Sequence, residues 1–266
     1  MLSLRMISDL SCKSIDASDI AVVVAHPDDE TIGCGALLSR LKDVSVVLVT
    51  DGAPRSGADA LRAGFETPLA YGTARSRELR IALALAGIDE RQILELGVCD
   101  QEVCRSLVAV SRRLASIFAS KGITTVVTHA FEGGHPDHDG VALCVHAAAR
   151  LLKERAPSLI EMPYYHRQGD AMVTQIFCDG ADELVFAIPP DQRRVKMEMM
   201  AAHASQAETL RAFSADVERY RIAKSYDFQL LPNNGSIFYA LFDCGFHPAE
   251  WAPLAREAMQ AIELGV

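Results

Sequence analysis

The sequence lacks the features that mark membrane, secreted or nucleic-acid-binding proteins. No apolar run approaches the roughly 18 to 20 residues that a membrane span needs, and no apolar block of signal-peptide length lies within residues 1–19. Basic residues are in deficit, because 26 Lys and Arg residues face 35 Asp and Glu residues. The net charge of −9 argues against a nucleic-acid or anionic-membrane surface. We therefore expect a cytoplasmic protein with neither a membrane span nor a nucleic-acid partner.

Paired cysteines, linkers and repeats are also missing. The seven cysteines form an odd set with no Cys-x-x-Cys spacing, which argues against a disulfide framework and against a cysteine zinc site. We expect reduced, mostly buried thiols. A single domain over residues 1–266 is the simplest organisation, with a core at about 20–160 and a substrate-shaping C-terminal part at about 161–266.

Strand-like and helix-like segments alternate through the first 160 residues. Strands are predicted at 20–25, 44–50, 92–96 and 123–128, and helices at 31–42, 73–86, 101–120 and 140–155. This alternation predicts an α/β fold with a Rossmann-like, mostly parallel sheet and helices on both faces. A C-terminal embellishment should follow, with a hairpin formed by 173–179 and 183–188 and helices at 191–204, 207–223 and 248–264.

The most informative segment directly follows the first predicted strand. Residues 26–30 read His-Pro-Asp-Asp-Glu and should lie at the carboxyl edge of the sheet, where open α/β folds bind ligands. An imidazole and a carboxylate at this spacing can hold a metal such as zinc, while a second carboxylate stays free to move a proton. Taken alone, the segment could equally be a helix start with an incidental histidine.

A second segment of the same kind follows the strand predicted at 123–128. It contains His135, Asp137 and His138 after a Gly-Gly pair that frees the backbone to take an unusual path. Both segments follow buried strands, so they should share one sheet edge. A trio of His26, Asp29 and His138 would leave coordination positions open, as a catalytic zinc site requires.

These two segments resemble the LmbE-like, or PIG-L, family of zinc-dependent N-deacetylases. The resemblance rests on residues 25–30 and 135–138, with support from Arg-x-x-Glu-Leu at 75–79 and weaker support from 203–206. It is clear over roughly residues 20–150, and the last third diverges. The resemblance implies a hydrolase that removes an acetyl group from an N-acetylated amino sugar or its conjugate.

The resemblance also implies a role for each site residue. His26, Asp29 and His138 would be the metal ligands, Asp28 the general base, and His135 the group that stabilises the oxyanion or protonates the leaving amine. Zinc is the implied metal, and ferrous iron would also suit two histidines and a carboxylate. These roles agree with the chemistry, because an amide carbonyl needs polarisation and an activated water.

Several residues have weaker assignments. Arg75 is predicted to contact substrate, although a surface ion pair with Glu78 would also explain it. Asp51 could bind a sugar hydroxyl or serve only in a turn, and Glu132 could shape the substrate pocket. Asp137 is expected either to orient His135 or His138 by a hydrogen bond or to cap the helix that starts near His138.

Glu30 has a simpler explanation as a carboxylate at the positive end of a helix. His203 and Gln206 could approach the site from the C-terminal region, although a lone histidine on a helix is more often structural.

Three other functions compete with this one. The same metal site could act on another amide or an ester, because the divergent last third would complete the pocket. A catalytically silent carbohydrate-binding domain is disfavoured, since binding alone needs neither Asp28 nor His135. A dinucleotide-binding protein is excluded, because Gly33 and Gly35 are followed by Leu38 where the motif needs glycine. The expected partner is a small amino sugar or glycoside, with a homo-oligomer also open.

Overall fold

The computed structural model describes residues 3–9, 14–180 and 182–263. The strands are β1 Ile15–Asp16, β2 Ile20–Val24, β3 Leu41–Lys42, β4 Ser45–Thr50, β5 Ile93–Val98, β6 Thr125–His129, β7 Ser158–Met162, β8 Tyr165–Gln168, β9 Ala171–Thr174, β10 Leu184–Ala187 and β11 Val217–Ile222. The helices are α1 Leu4–Ser8, α2 Asp29–Leu38, α3 Ala58–Arg62, α4 Pro68–Leu85, α5 Leu107–Lys121, α6 Pro136–Leu152, α7 Pro190–Ala202, α8 Ala207–Leu210 and α9 Trp251–Glu263.

The main sheet has seven strands in the spatial order β10–β11–β7–β6–β2–β4–β5. Strands β7, β6, β2, β4 and β5 are parallel, whereas β11 and β10 are antiparallel to their neighbours. The predicted mostly parallel α/β fold is therefore confirmed. The chain crosses from β5 back past β2 to β6, so the strand order reverses between β2 and β6. A crevice forms at such a reversal, outside the carboxyl ends of the two strands.

Helices cover both faces of the sheet. Successive side chains of a strand point to opposite faces, so each apolar strand presents side chains that must be buried on both sides. On β2, Val23 packs in the apolar layer that contains Leu114 of α5. Val22, beside it in sequence, packs in the layer that contains Leu37 of α2. Burial on both faces explains why the central strands are continuous apolar runs rather than alternating ones.

Helix α2 is broken at Cys34, where the backbone leaves the helical region at φ −146°. A fully buried ion pair satisfies the backbone groups that the break frees. Glu218 accepts a hydrogen bond from the Ala36 N–H at 2.7 Å, and Lys196 Nζ donates to the Ile32 carbonyl at 2.8 Å. Lys196 and Glu218 also contact each other at 2.9 Å, so the C-terminal part fixes the shape of α2.

The last third differs from two of its sequence predictions. The hairpin predicted over 173–188 is wrong, because β9 pairs with β8 and β10 pairs with β11. The helix predicted over 207–223 is also wrong, since only α8 is helical and β11 joins the sheet beside β7. Alternating burial along β11 is typical of a strand. Helices α7 and α9 lie where predicted.

Six of the cysteines are free thiols, and Cys12 lies outside the described residues. Among the helices that the structure describes, none combines the length and the apolar character needed to cross a membrane.

Candidate metal centre

The candidate metal centre is built where β2 and β6 end side by side. His26 lies two residues after β2, Asp29 begins α2, and His138 lies in the first turn of α6. His26 Nδ1 lies 3.2 Å from His138 Nε2 and 3.3 Å from Asp29 Oδ2. His138 Nε2 lies 3.3 Å from Asp29 Oδ1. The structure thus brings the three predicted ligands together.

The spacing of these donor atoms fits a four-coordinate divalent ion. Zinc binds imidazole nitrogen at about 2.0–2.1 Å in a tetrahedron, so neighbouring donor atoms should lie about 3.3 Å apart. The two histidine nitrogens lie 3.2 Å apart, and each lies 3.3 Å from a different oxygen of Asp29. Two histidines and a carboxylate also suit zinc or ferrous iron chemically. The residues present therefore fit the metal that the sequence implies.

The described residues offer overlapping groups of possible ligands, namely His26–His135–His138, Asp29–His129–His138 and His26–Asp100–Asp137. Two members of these groups are already engaged. His129 Nε2 accepts a hydrogen bond from the Ala25 N–H at 2.9 Å, so its lone pair is in use. Asp137 accepts hydrogen bonds from backbone N–H groups through both oxygens, at 2.6 and 3.1 Å. We therefore regard both as supporting groups rather than ligands.

The charge balance around the centre also favours a bound cation. Asp28, Asp29, Asp100 and Asp137 are all buried. Among the described residues, Arg75 is the permanent cation in contact with this group, 3.2 Å from Asp28 and 3.8 Å from Asp100. Buried carboxylates are costly unless they are paired or coordinate a metal. A divalent ion would compensate the excess negative charge.

His26 is oriented by carboxylates on the side of its ring away from the centre. Its Nε2 lies 3.2 Å from Asp100 and 3.3 Å from Asp137, which leaves Nδ1 directed at Asp29 and His138. Burial disfavours the charged imidazole, but Asp100, Asp137 and Asp29 outweigh this effect and hold the pKa of His26 well above its usual value. The Asp137 carboxylate therefore pairs with His26, whereas the sequence had suggested His135 or His138.

Asp28 faces the same cavity from the turn between β2 and α2. Burial raises the pKa of Asp28 to about 7, and the nearby Arg75 guanidinium opposes part of that rise. A carboxyl group with a pKa near neutrality can both accept and return a proton at working pH. Asp28 has a backbone φ of +129°, which is unusual for a residue other than glycine.

His135 lies at the N-terminus of α6 and is only partly exposed. Its Nδ1 accepts a hydrogen bond from the Asp137 N–H at 3.2 Å, so Nε2 carries the proton in the neutral ring. Burial, together with the charges of His26 and His138, holds the pKa of His135 well below its usual value. Gly134 allows this path, because a Cβ there would collide with the carbonyl oxygen of Tyr165.

A cavity of about 590 Å³ opens above these groups. Arg75 and three of the four aromatic side chains in its wall, Tyr71, Tyr165 and Phe213, are buried or nearly so. The other residues around the mouth of the cavity are mostly polar. They include Asp59 and Arg62 in α3, Asp100 and Gln101 after β5, and Ser205, Gln206, Glu208, Thr209, Phe242 and Asp243 from the C-terminal third. The C-terminal part thus supplies much of the mouth.

Two of the residues with predicted substrate contacts lie elsewhere. Asp51 lines a separate cavity of about 750 Å³, and its Oδ1 accepts backbone N–H bonds from Ala53 and Asp100 at 3.0 and 3.2 Å. Glu132 is buried beneath the wall and accepts the N–H groups of Tyr164 and Tyr165 at 2.6 and 3.1 Å. A substrate role for either residue stays a prediction, whereas Arg75 does line the cavity.

No sequence motif points to Asp100, and the sequence predicts for His129 only that it packs beneath the site rather than acts in it. Asp100 follows β5 and His129 ends β6, so both occupy the same sheet edge as the recognised segments. The position directly after a strand was the available signal for Asp100. It was overlooked because one acidic residue after a half-buried edge strand is common.

Comparison with known proteins agrees with this geometry. The sequence model of the PIG-L family, described as GlcNAc-PI de-N-acetylase, matches residues 21–149. This stretch contains both histidine segments and the whole trio. Over this stretch, slightly less than half of its length, the chain matches the PIG-L, or LmbE-like, family. A search of curated proteins found no significant match.

Solved structures share the fold of this chain at low sequence identity. The A40926 pseudoaglycone deacetylase has a TM-score of 0.61 at 19% identity, covering 79% of this chain and 100% of its own. A zinc-inhibited form of teicoplanin deacetylase has a TM-score of 0.58 at 17% identity, covering 78% and 99%. The N,N'-diacetylchitobiose deacetylase from Pyrococcus horikoshii has a TM-score of 0.57 at 18% identity, covering 82% and 88%. These likenesses establish the fold.

Proposed function

We propose that this protein is a metal-dependent hydrolase of the PIG-L family that removes the acetyl group from an N-acetylated amino sugar or its conjugate. The observation that carries the proposal is the convergence of His26, Asp29 and His138, whose side-chain donor atoms lie 3.2 to 3.3 Å apart, with Asp28 lining the same cavity. The match to the PIG-L family supports the reaction class. The structural relatives are described as deacetylases of the A40926 pseudoaglycone, of teicoplanin and of N,N'-diacetylchitobiose, which supports an N-acetyl group on a sugar.

Different residues of the chain are assigned metal binding, proton acceptance and hydrogen-bond donation. A divalent ion held by His26, Asp29 and His138 would polarise the amide carbonyl and acidify a water molecule. Asp28 accepts the proton of the attacking water, because its carboxylate faces the cavity and its pKa lies near 7. Neutral His135 donates a hydrogen bond through Nε2 to the developing oxyanion, whereas protonation of the departing amine requires either the charged His135 ring or the proton that Asp28 took from water.

The bound metal is proposed to be zinc, with ferrous iron as the competing choice. Both suit the donor set. Because one structural relative is described as zinc-inhibited, the activating metal needs a direct test. Excess zinc should therefore be titrated separately from stoichiometric zinc.

The deciding experiment measures amine release from a panel of N-acetylglucosamine compounds, using purified protein before and after chelation and then with one equivalent of zinc or ferrous iron. Release that chelation abolishes and metal restores is the expected result. No release, with stoichiometric metal still bound, would redirect the assignment to another amide or an ester. No release and no bound metal would favour a silent carbohydrate-binding domain. A cytoplasmic location and a homo-oligomer remain part of the proposal.

A further inference from the structure

Residues 203–206, here called the 203–206 turn, connect the C-terminal part to the metal centre. The turn follows α7, and His203 and Gln206 are buried in it. Ser205 donates to Glu78 through its N–H at 2.9 Å and its hydroxyl at 2.6 Å. Gln206 Nε2 donates to the Tyr71 hydroxyl at 2.5 Å. The turn is thereby fastened to α4, which forms one wall of the cavity.

The other end of the turn reaches Glu30. His203 Nε2 lies 3.3 Å from Glu30 Oε1 and 3.2 Å from Thr31 Oγ1, and both His203 and Glu30 have an exposure of 0%. The Thr31 hydroxyl already donates its proton to Glu30 Oε1 at 2.6 Å. Thr31 therefore has no proton left to donate to His203, and both oxygens near His203 Nε2 are acceptors. We infer that Nε2 carries a proton and donates it towards Glu30. This contact joins segments 172 residues apart in sequence.

The second oxygen of Glu30 holds the backbone of Asp28. Glu30 Oε2 accepts the Asp28 N–H at 3.1 Å, while the Asp28 carbonyl accepts the N–H groups of Thr31 and Ile32 at 3.0 and 2.9 Å. Asp28 has a φ of +129°, a backbone conformation that costs an L-residue on the order of 1–3 kcal/mol and persists only where the surroundings impose it. Glu30 supplies one of those restraints.

We propose that Glu30 and His203 are positioning residues that hold Asp28 in its strained conformation and so aim its carboxylate into the cavity. The proposal rests on the proposed function, because it is the role of Asp28 as base that makes its orientation matter. His203 fixes the Glu30 carboxylate, and Glu30 fixes the Asp28 N–H. Through His203 and Glu30, the 203–206 turn thus acts on the proposed base, Asp28. His203 itself does not line the cavity.

A helix-dipole role alone does not explain Glu30. A carboxylate in the first turn of a helix is stabilising even when it is exposed to solvent. Glu30 is instead fully buried, and its two oxygens serve three donors, Asp28 N–H, Thr31 Oγ1 and His203 Nε2. Burying a carboxylate in this way is costly unless each contact is made. The arrangement is explained if the geometry of Asp28 depends on it.

The test compares His203→Leu, which removes the donor, with His203→Gln, which keeps an N–H near the position of Nε2. His146→Leu is the matched control, because His146 also lies beside a buried carboxylate, 3.7 Å from Glu161, but does not line the cavity. We expect His203→Leu to lower kcat about 10- to 100-fold, as loss of an outer partner of a site typically does, with KM and bound metal unchanged. His203→Gln should recover most of kcat, and His146→Leu should retain it.

A second readout does not depend on activity. Hydrogen–deuterium exchange of the peptide that contains Asp28 should be faster in His203→Leu and in Glu30→Gln than in the unmodified full-length protein, and unchanged in His146→Leu. Unchanged exchange and full kcat in His203→Leu would overturn the proposal. So would a His203→Gln variant that is folded but no more active than His203→Leu. Faster exchange in a protein that releases no amine would support the positioning role and reject only the proposed function.

Discussion

The Arg75 guanidinium donates to the Asp28 carboxylate at 3.2 Å and to the carbonyl oxygens of Pro27 and Gly52 at 2.8 and 2.6 Å. One buried cation therefore ties the turn after β2 to the turn after β4. Gly52 is required for this approach, because a Cβ there would lie 2.8 Å from Arg75 Cζ and its φ is +65°. Arg75 thus restrains the proposed base and stabilises its charge, and its guanidinium is committed to the protein.

Replacing Arg75 with Met should leave the Asp28 carboxylate buried without its cation. We expect the variant to lose about 3–5 kcal/mol of unfolding free energy, the usual cost of breaking a buried ion pair. Arg75→Lys should restore the charge and part of the stability, but one ammonium group cannot reproduce the planar set of hydrogen bonds to Asp28, Pro27 and Gly52. Urea unfolding of the three proteins measures the difference. Equal stability of the unmodified protein and Arg75→Met would contradict the role given to this contact.

Asp28 and His138 should separate catalysis from metal binding. Asp28→Asn removes the proposed base but none of the three ligand atoms, so the variant should keep stoichiometric metal while kcat falls about 10²- to 10⁴-fold. His138→Ala removes a ligand, and both metal content and activity should be lost. Metal analysis and amine release on the same preparations test this pair. A fully active Asp28→Asn enzyme would rule out the proposed mechanism.

The metal trio was accessible from sequence because its residues follow buried strands at fixed spacing. The runs 20–25 and 123–128 are apolar enough to be recognised as central strands, and the carboxyl ends of parallel strands share one edge. His26 and His138 could therefore be placed together from the sequence alone. The apolar runs and the residues directly after them were sufficient to predict the metal trio, because this part of the sheet is regular.

The supporting residues could not be placed in the same way. Glu30 looked like an ordinary first-turn carboxylate, and its burial depends on His203, which is distant in sequence. Strand β11 was predicted to be helical. Its charged residues are paired inside the protein, as Glu218 is with Lys196, so its sequence lacks the apolar pattern of a buried strand. Such contacts are set by tertiary packing, which residue periodicity does not report.

Glu132 should make stability depend on pH. Burial holds the pKa of Glu132 well above its usual value, so the folded protein keeps a proton that the unfolded chain releases above its own lower pKa. The stabilisation is fully present below the unfolded pKa and is lost as pH rises towards the folded one. Glu132→Gln keeps the acceptor for Tyr164 N–H and should flatten this slope by up to about 1.4 kcal/mol per pH unit.

The measurement is urea unfolding of both proteins at a series of pH values, each above the unfolded pKa of glutamate. Glu257→Gln, at an exposed position on α9, is the control and should leave the slope unchanged. Parallel curves for the unmodified protein and Glu132→Gln would show that Glu132 is ionised in the folded state, against the prediction.

The charges around the cavity should favour neutral or cationic substrates over anionic ones. Arg62 is paired with Asp59 at 2.8 Å, and Arg75 is buried against Asp28 and backbone carbonyls. The lining residues Glu208 and Asp243 are exposed. Among the described lining residues, the cations are therefore engaged while carboxylates face the mouth. A negatively charged aglycone should meet repulsion there.

Matched N-acetylglucosamine glycosides that differ only in an amine or a carboxylate on the aglycone test this prediction. At low salt we expect the amine-bearing substrate to have the higher kcat/KM, by roughly 2- to 30-fold for two exposed charges each worth about 0.2–1 kcal/mol. Added salt should shrink the ratio, because exposed charges are screened. The Glu208→Gln, Asp243→Asn double variant should bring the ratio close to one. A ratio that this variant leaves unchanged would place the discrimination elsewhere, at the buried carboxylates beneath the cavity, where salt has little effect.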